Sequence, residues 1–194
     1  MQIDKDVRAV EKLLAQIDVV SNNFLKQTEV GCPSGCNKCC HGKHVSATPL
    51  EFLPYAYHLY QTGQLEEKYW EFKAKDEFDV SCFLVEGDEH SLNGKCSIYE
   101  HRGVICRLFG NCASVNKNGE KSYSACSILK SQIVDHENFK SVLATSAPIY
   151  TDYYMQLRAI DNTNGAMQFP INIAILKSME LVYNTTRRKR KRVG

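Results

Sequence analysis

The 194-residue sequence lacks the marks of membrane and export segments. No run of 18 apolar residues occurs in it, so no stretch is long enough for a transmembrane helix. Met1 to Val20 alternates charge with hydrophobe, where a signal peptide needs a positive end, an unbroken apolar stretch and a small-residue cleavage site. A cytoplasmic chain with reduced thiols is the expectation. There is no glycine-rich nucleotide loop, no internal repeat, and no alternation of strands with helices that would build a parallel sheet. Cysteine is absent from 99 of the residues, because all nine lie in the 95-residue window from Cys32 to Cys126. What is present, 43% hydrophobic and 24% charged residues, is the balance of a folded globular chain of a length suited to one domain.

The formal charge of +2 conceals an asymmetry. Arg187, Arg188, Lys189, Arg190, Lys191 and Arg192 form one basic block, and setting them aside leaves 18 basic against 22 acidic residues. The sequence therefore divides into a domain over 1–186 and a basic tail over 187–194. Like charges in a row repel, so the tail is expected to be disordered and solvated, in preference to a nucleic-acid or anionic-lipid contact.

Periodicity predicts a mainly α fold: a single domain of packed helices around an irregular, cysteine-rich centre with a small β-hairpin, a centre whose cysteines are read below as metal-binding. Val7, Val10, Leu14, Ile17 and Phe24 form one stripe, which predicts a helix from 4 to about 28. Gly31, Pro33, Ser34 and Gly35 then break the pattern. Thr48-Pro49-Leu50-Glu51 combines an N-cap hydroxyl, a first-turn proline and a glutamate three residues after the cap, so a helix should run from 48 to about 61. A further helix follows Gly63 to about Lys75. The short apolar runs Cys82–Val85 and Cys96–Tyr99 read as a hairpin with a long loop, too short to stand without other support. Helices are expected at about 129–144 and 148–160, and after Pro170, where Ile171, Ile175, Met179 and Val182 share a face. Trp70 and Tyr55, Tyr57, Tyr60 and Tyr69 are expected to pack helices around the centre.

Cys32-Pro-Ser-Gly-Cys36-Asn-Lys-Cys39-Cys40 places four thiols within nine residues, in a loop able to wrap a metal and offer backbone amides to its thiolates. An odd cysteine count with two adjacent members argues for metal binding over full disulfide pairing. Cys39 and Cys40, being neighbours, are expected to serve different irons, different centres, or a ligand and its support. Cys82, Cys96, Cys106, Cys112 and Cys126 complete the nine.

Together, C-x3-C-x2-C-C, Cys96-Ser-Ile-Tyr-Glu-His-Arg102 and Cys106-Arg-Leu-Phe-Gly resemble the YkgJ-like cysteine-cluster family, a zinc- or iron-chelating domain, over about Cys32 to Cys126. The resemblance implies metal ligation by Cys32, Cys36, Cys39, Cys40, Cys82, Cys96 and Cys106, with Cys126 as the eighth and Cys112 left over. Gly103 stands where that family usually has proline, which is expected to loosen the turn. Some relatives are flagellin lysine methylases carrying an iron-sulfur cluster, so the resemblance also offers lysine methylation as a reading.

Charge does not separate the metals, since four thiolates on Zn(II) or on an oxidised [4Fe-4S] core both leave about -2. Lys38, Lys43, Lys95, Arg102 and Arg107 are the cations expected to offset it. Three close cysteines and a distant fourth favour a [4Fe-4S] cluster, with a redox or protein-modification role and an unidentified protein or redox partner. The alternative is a zinc-structured binding module without catalysis. Cys32, Cys36 and Cys39 also match the spacing of radical S-adenosylmethionine enzymes, a weaker reading because their strand-helix repeats are missing here. His41 and His44 read as surface or supporting histidines in preference to ligands. Tyr99, Arg102 and Arg107 read as hydrogen-bonding or charge-balancing support in preference to a substrate cleft, and Glu100 as a solvated carboxylate.

Overall fold

Helix α1 (Gln2–Thr28) buries the predicted stripe of Val7, Val10, Leu14, Ile17 and Phe24 and stops where Glu29 turns into the left-handed region at φ 56°. The computed structural model to which it belongs describes residues 2–42, 45–75, 81–87 and 94–193, with side chains through residue 187. Thr48 opens the next helix as predicted: its N–H donates to Glu51 Oε1 at 2.8 Å, so the capping box forms. The first turn, Pro49–Phe52, is a 3-10 turn that leads into α2 (Leu53–Gln61). Gly63, at φ 74°, separates α2 from α3 (Leu65–Lys73).

The short helix α4 (Val104–Leu108) carries Cys106. The helix expected from 129 to 144 is divided into α5 (Ser127–Lys130) and α6 (His136–Ser146). The division has a local cause: Asp135 accepts from the N–H groups of Glu137 and Asn138 at 3.1 and 3.0 Å and so starts a new helix. Helices α7 (Tyr150–Ile160) and α8 (Ile171–Val193) complete the set. The backbone of α8 is helical through Val193, into the basic block. Lys and Arg are good helix formers, and cations at a helix C-terminus complement its dipole.

Among the described residues, three antiparallel strand pairs tie the helices together. β1 (Ser46–Ala47) pairs with β6 (Phe169–Pro170), fixing the start of α8 beside the segment that leads into α2. β2 (Val85–Glu86) and β3 (Lys95–Cys96) form the predicted hairpin, with Val85 opposite Cys96; residues 88–93 of its loop lie outside the described residues. β4 (Ala113–Val115) and β5 (Lys121–Tyr123) form a hairpin that the sequence reading missed, around an Asn116 side chain that accepts from the N–H groups of Asn118 and Glu120.

Two cores result. The larger, built on Ile17, Leu53, Leu157 and Ile175, joins both ends of the chain. The smaller gathers Phe24, Val30, Leu129 and Phe139 under the β4–β5 hairpin. α1 supplies both, and the cysteine-rich loops lie along their margins. Trp70 corrects the expectation that it packs around the centre: it is 62% exposed, because α3 turns Leu65 and Phe72 inward and leaves position 70 on the opposite face. Tyr55 is buried, and Tyr57, Tyr60 and Tyr69 pack partly buried on the larger core.

Candidate metal centre

The loop that carries the first four cysteines is held by backbone. Cys36 N–H closes a turn on Pro33 O, and Gly94 N–H donates to Gly35 O at 3.0 Å. Gly94 is required here, since a Cβ would fall 1.9 Å from Asn37 Nδ2. Cys39 and Cys40 sit on the 3-10 turn Lys38–His41. Cys40 O accepts Cys82 N–H at 2.8 Å, which brings the second cysteine segment against the first. Asn172, from the first turn of α8, accepts Phe83 N–H at 2.8 Å and donates to Ser81 O at 2.9 Å, fixing the backbone on both sides of Cys82.

Cys106 is set by a buried carboxylate. Glu51 is fully buried; its Oε1 accepts from Thr48 N–H and from Tyr154 OH at 3.0 Å, and its Oε2 accepts Ile105 N–H at 2.8 Å. Burial raises its pKa above the ordinary carboxylate value. Gly103 has φ at -66°, the value a proline would fix. Its missing Cβ leaves room for Glu51, which would otherwise be 3.1 Å away through Oε2.

The thiols influence one another through Cys39, which acts on Cys32 and also on Cys82, Cys96 and Cys106. Desolvation and the neighbouring thiols of Cys39, Cys36 and Cys126 push Cys32 up to about 11. The Cys40 thiol donates a hydrogen bond to Cys39, which pulls Cys39 down to about 7 and pushes Cys40 far up. Desolvation raises Cys82 to about 12, and it also raises Cys96 and Cys106. Cys106 lies within the electrostatic reach of Cys82, Cys96 and Cys39. Cys112 is buried and is raised to about 11 by desolvation alone. All nine thiols are free, and among the described residues no three Cys, His, Asp or Glu side chains stand in the mutual geometry of a bound metal ion. Protonated thiols have no attraction that would draw four sulfurs to ligand distance; a metal supplies it by displacing their protons. The donor set is sulfur-rich and fits a soft-ligand metal, zinc or iron-sulfur.

The expected cations divide. Arg107 is buried and spends its guanidinium on Asp18 of α1 and on the carbonyls of Arg102 and Glu100, so it supports the fold and does not offset thiolates. Lys95 pairs with Glu86 at 3.2 Å, while Lys43 lies outside the described residues. Arg102 stacks on the exposed Tyr99 ring at 3.7 Å; its charge adds to the lowering of Cys39 and opposes the desolvation that raises Cys32 and Cys96. It is therefore a cation that acts on the thiols. His41 has both ring nitrogens occupied, with Ser81 Oγ at 3.0 Å and Asn37 Nδ2 at 3.2 Å, in line with a supporting role; His44 lies outside the described residues. Tyr99, Glu100 and Cys96 line a cleft of about 690 Å³ together with His58, Glu71 and His101. Tyr99 thus lines a cleft, the reading that the sequence set below a supporting role, while Asn172 and the reach of Glu51 to Ile105 were missed by sequence reasoning.

The family model described as "Putative zinc- or iron-chelating domain", under the name CxxCxxCC, matches residues 31–136. No curated protein and no solved structure matches the chain.

Proposed function

The chain belongs to the CxxCxxCC family, and from that premise we propose that its cysteines hold an iron-sulfur cluster, a [4Fe-4S] core, serving a redox or protein-modification role. Donor chemistry carries the reading: thiols from four separate segments lie within electrostatic reach of one another, while His41 is engaged elsewhere. Sulfur-only donors select zinc or iron-sulfur, and close cysteines with distant partners resemble cluster ligation. When bound, the cluster supplies an electron-transfer couple. The chain's own part is to orient and neutralise. Asn172 and Glu51 hold the backbone around Cys82 and Cys106, and Arg102 offsets thiolate charge from the exposed side. Cys39, already near its ionisation point at neutral pH, is the ligand that needs least proton loss to bind. The cleft beside Cys96 offers a place for a substrate or a redox partner's side chain.

Iron and acid-labile sulfide analysis of anaerobically purified protein tests this. The expected preparation is brown, with iron and sulfide in equal amounts. Stoichiometric zinc without sulfide overturns the iron-sulfur reading and leaves a zinc-structured binding module. One observation favours that second reading: the two-residue strands β2 and β3 need support beyond their own pairing, and a structural metal provides it. In that case chelation unfolds the protein and no redox-active centre is found.

A further inference from the structure

The cysteines are divided between two supports. Cys40, Cys82, Cys96 and Cys106 all pack on the larger core. They are joined by Cys82 N–H to Cys40 O at 2.8 Å and by the Val85–Cys96 pairing, with Ser97 N–H donating to Leu84 O at 2.9 Å. Cys126 packs on the smaller core instead, beside Tyr123. The Cys32 segment is tied to that side by Gly31 N–H, which donates to Gln132 Oε1 at 3.0 Å, six residues beyond Cys126. Cys32 has Cys36, Cys39 and Cys126 as its thiol neighbours. Cys39 lies where the two groups meet, and on a 3-10 turn consecutive side chains diverge by about a third of a turn. Adjacent Cys39 and Cys40 can therefore face different centres.

Resting on the metal-binding reading above, we infer that the protein has two four-thiol metal sites: an inner one from Cys40, Cys82, Cys96 and Cys106, and an outer one from Cys32, Cys36, Cys39 and Cys126. The inner site rests on the larger core, with Cys82 buried and with Asn172 and Glu51 fixing the backbone beside Cys82 and Cys106. The outer site includes the exposed Cys32 and Cys39 and is open to exchange with solvent. The two differ in support, so each should fill and empty without the other. In the test below each cadmium(II) ion displaces thiol protons to the medium, with no change of oxidation state.

Cadmium(II), a soft single-ion probe for thiolate sites, tests the division. Full-length chain freed of metal under anaerobic, reducing conditions is titrated with 113Cd(II), followed by native mass spectrometry and 113Cd NMR. Two ions per chain and two tetrathiolate resonances are expected. Cys32→Ser, Cys126→Ser and the double variant should each weaken the same single ion by more than about ten-fold and leave the other resonance in place. Cys96→Ser, on the edge of the hairpin, should do the reverse, and the outer variants stand as the test if it fails to fold. One ion per chain, or a Cys126→Ser variant that disturbs both resonances alike, overturns the two-site division while leaving metal binding intact. Failure to bind any cadmium overturns the metal-binding reading itself.

Discussion

Asn172 grips the chain on either side of Cys82 although 90 residues separate the two, with its carbonyl on Phe83 N–H and its amide on Ser81 O. The side chain is 1% exposed, so neither backbone group has water as a ready substitute. Asn172→Ala should destabilise the metal-free protein by about 2 kcal/mol, the cost of stranding a donor and an acceptor away from water. Urea unfolding measures that loss. Bound cadmium should also dissociate about ten-fold faster from the site that includes Cys82, as happens when the groups orienting a ligand are removed. An unchanged dissociation rate would reduce Asn172 to a packing residue.

Glu51 joins the start of the α2 segment, α4 and α7 through one carboxylate, and every polar neighbour with a described hydrogen bond to it donates. Glu51→Gln is therefore not conservative. Whichever way the amide turns, an N–H faces either Ile105 N–H or Thr48 N–H. A loss of about 2 kcal/mol in unfolding free energy is expected, against about 1 kcal/mol for Tyr154→Phe, which removes a single bond. Equal losses would show that the carboxylate is no more than a partner for Tyr154.

Much of the helical frame was legible in the sequence because it rests on local rules. The stripe from Val7 to Phe24, the face from Ile171 to Val182 and the Thr48 capping box all repeat at short intervals and are buried or bonded as their spacing implies. The β4–β5 hairpin was legible too, in Asn118-Gly119, and was overlooked. Trp70 was misread because an aromatic residue reveals its size and not its helix face; only its offset from Leu65 and Phe72 shows that it points away. Arg107 and Asn172 could not have been assigned, since their partners Asp18 and Phe83 are 89 residues away in each case and no periodicity links them. The division of the thiols is of the same kind. Spacing groups Cys32, Cys36, Cys39 and Cys40 as one motif, whereas packing separates Cys40 from the rest.

His101 gives the protein a pH dependence of predictable sign. Desolvation first, and then the His58 ring stacked 5.0 Å from it, hold its pKa below the usual 6.5. As the pH falls below about 6.5, the unfolded chain takes up a proton that the folded chain binds only at still lower pH, so this residue's contribution to stability is lost in acid and retained above that value. Urea midpoints between about pH 7.5 and 5.5 should fall more steeply for the wild type than for His101→Gln. Parallel profiles would mean that the stacked pair is not coupled to folding.

Cys112 and Cys39 mark opposite ends of thiol behaviour. Cys39 accepts a hydrogen bond from the Cys40 thiol and titrates at about 7, while Cys112 is 5% exposed and is held at about 11 by desolvation alone. The thiolate is the reactive form, so brief iodoacetamide treatment of the metal-free reduced protein near neutral pH should modify Cys39 first and leave Cys112 untouched. Peptide mapping reads both. Cys112 packs on the larger core, and Cys112→Ala should cost about 1 kcal/mol for the lost sulfur contacts. Its metal content should nonetheless equal that of the wild type, because eight thiols are enough for two four-thiol sites and Cys112 belongs to neither. Loss of a bound metal ion in Cys112→Ala would place the ninth thiol among the ligands and require the two sets to be redrawn.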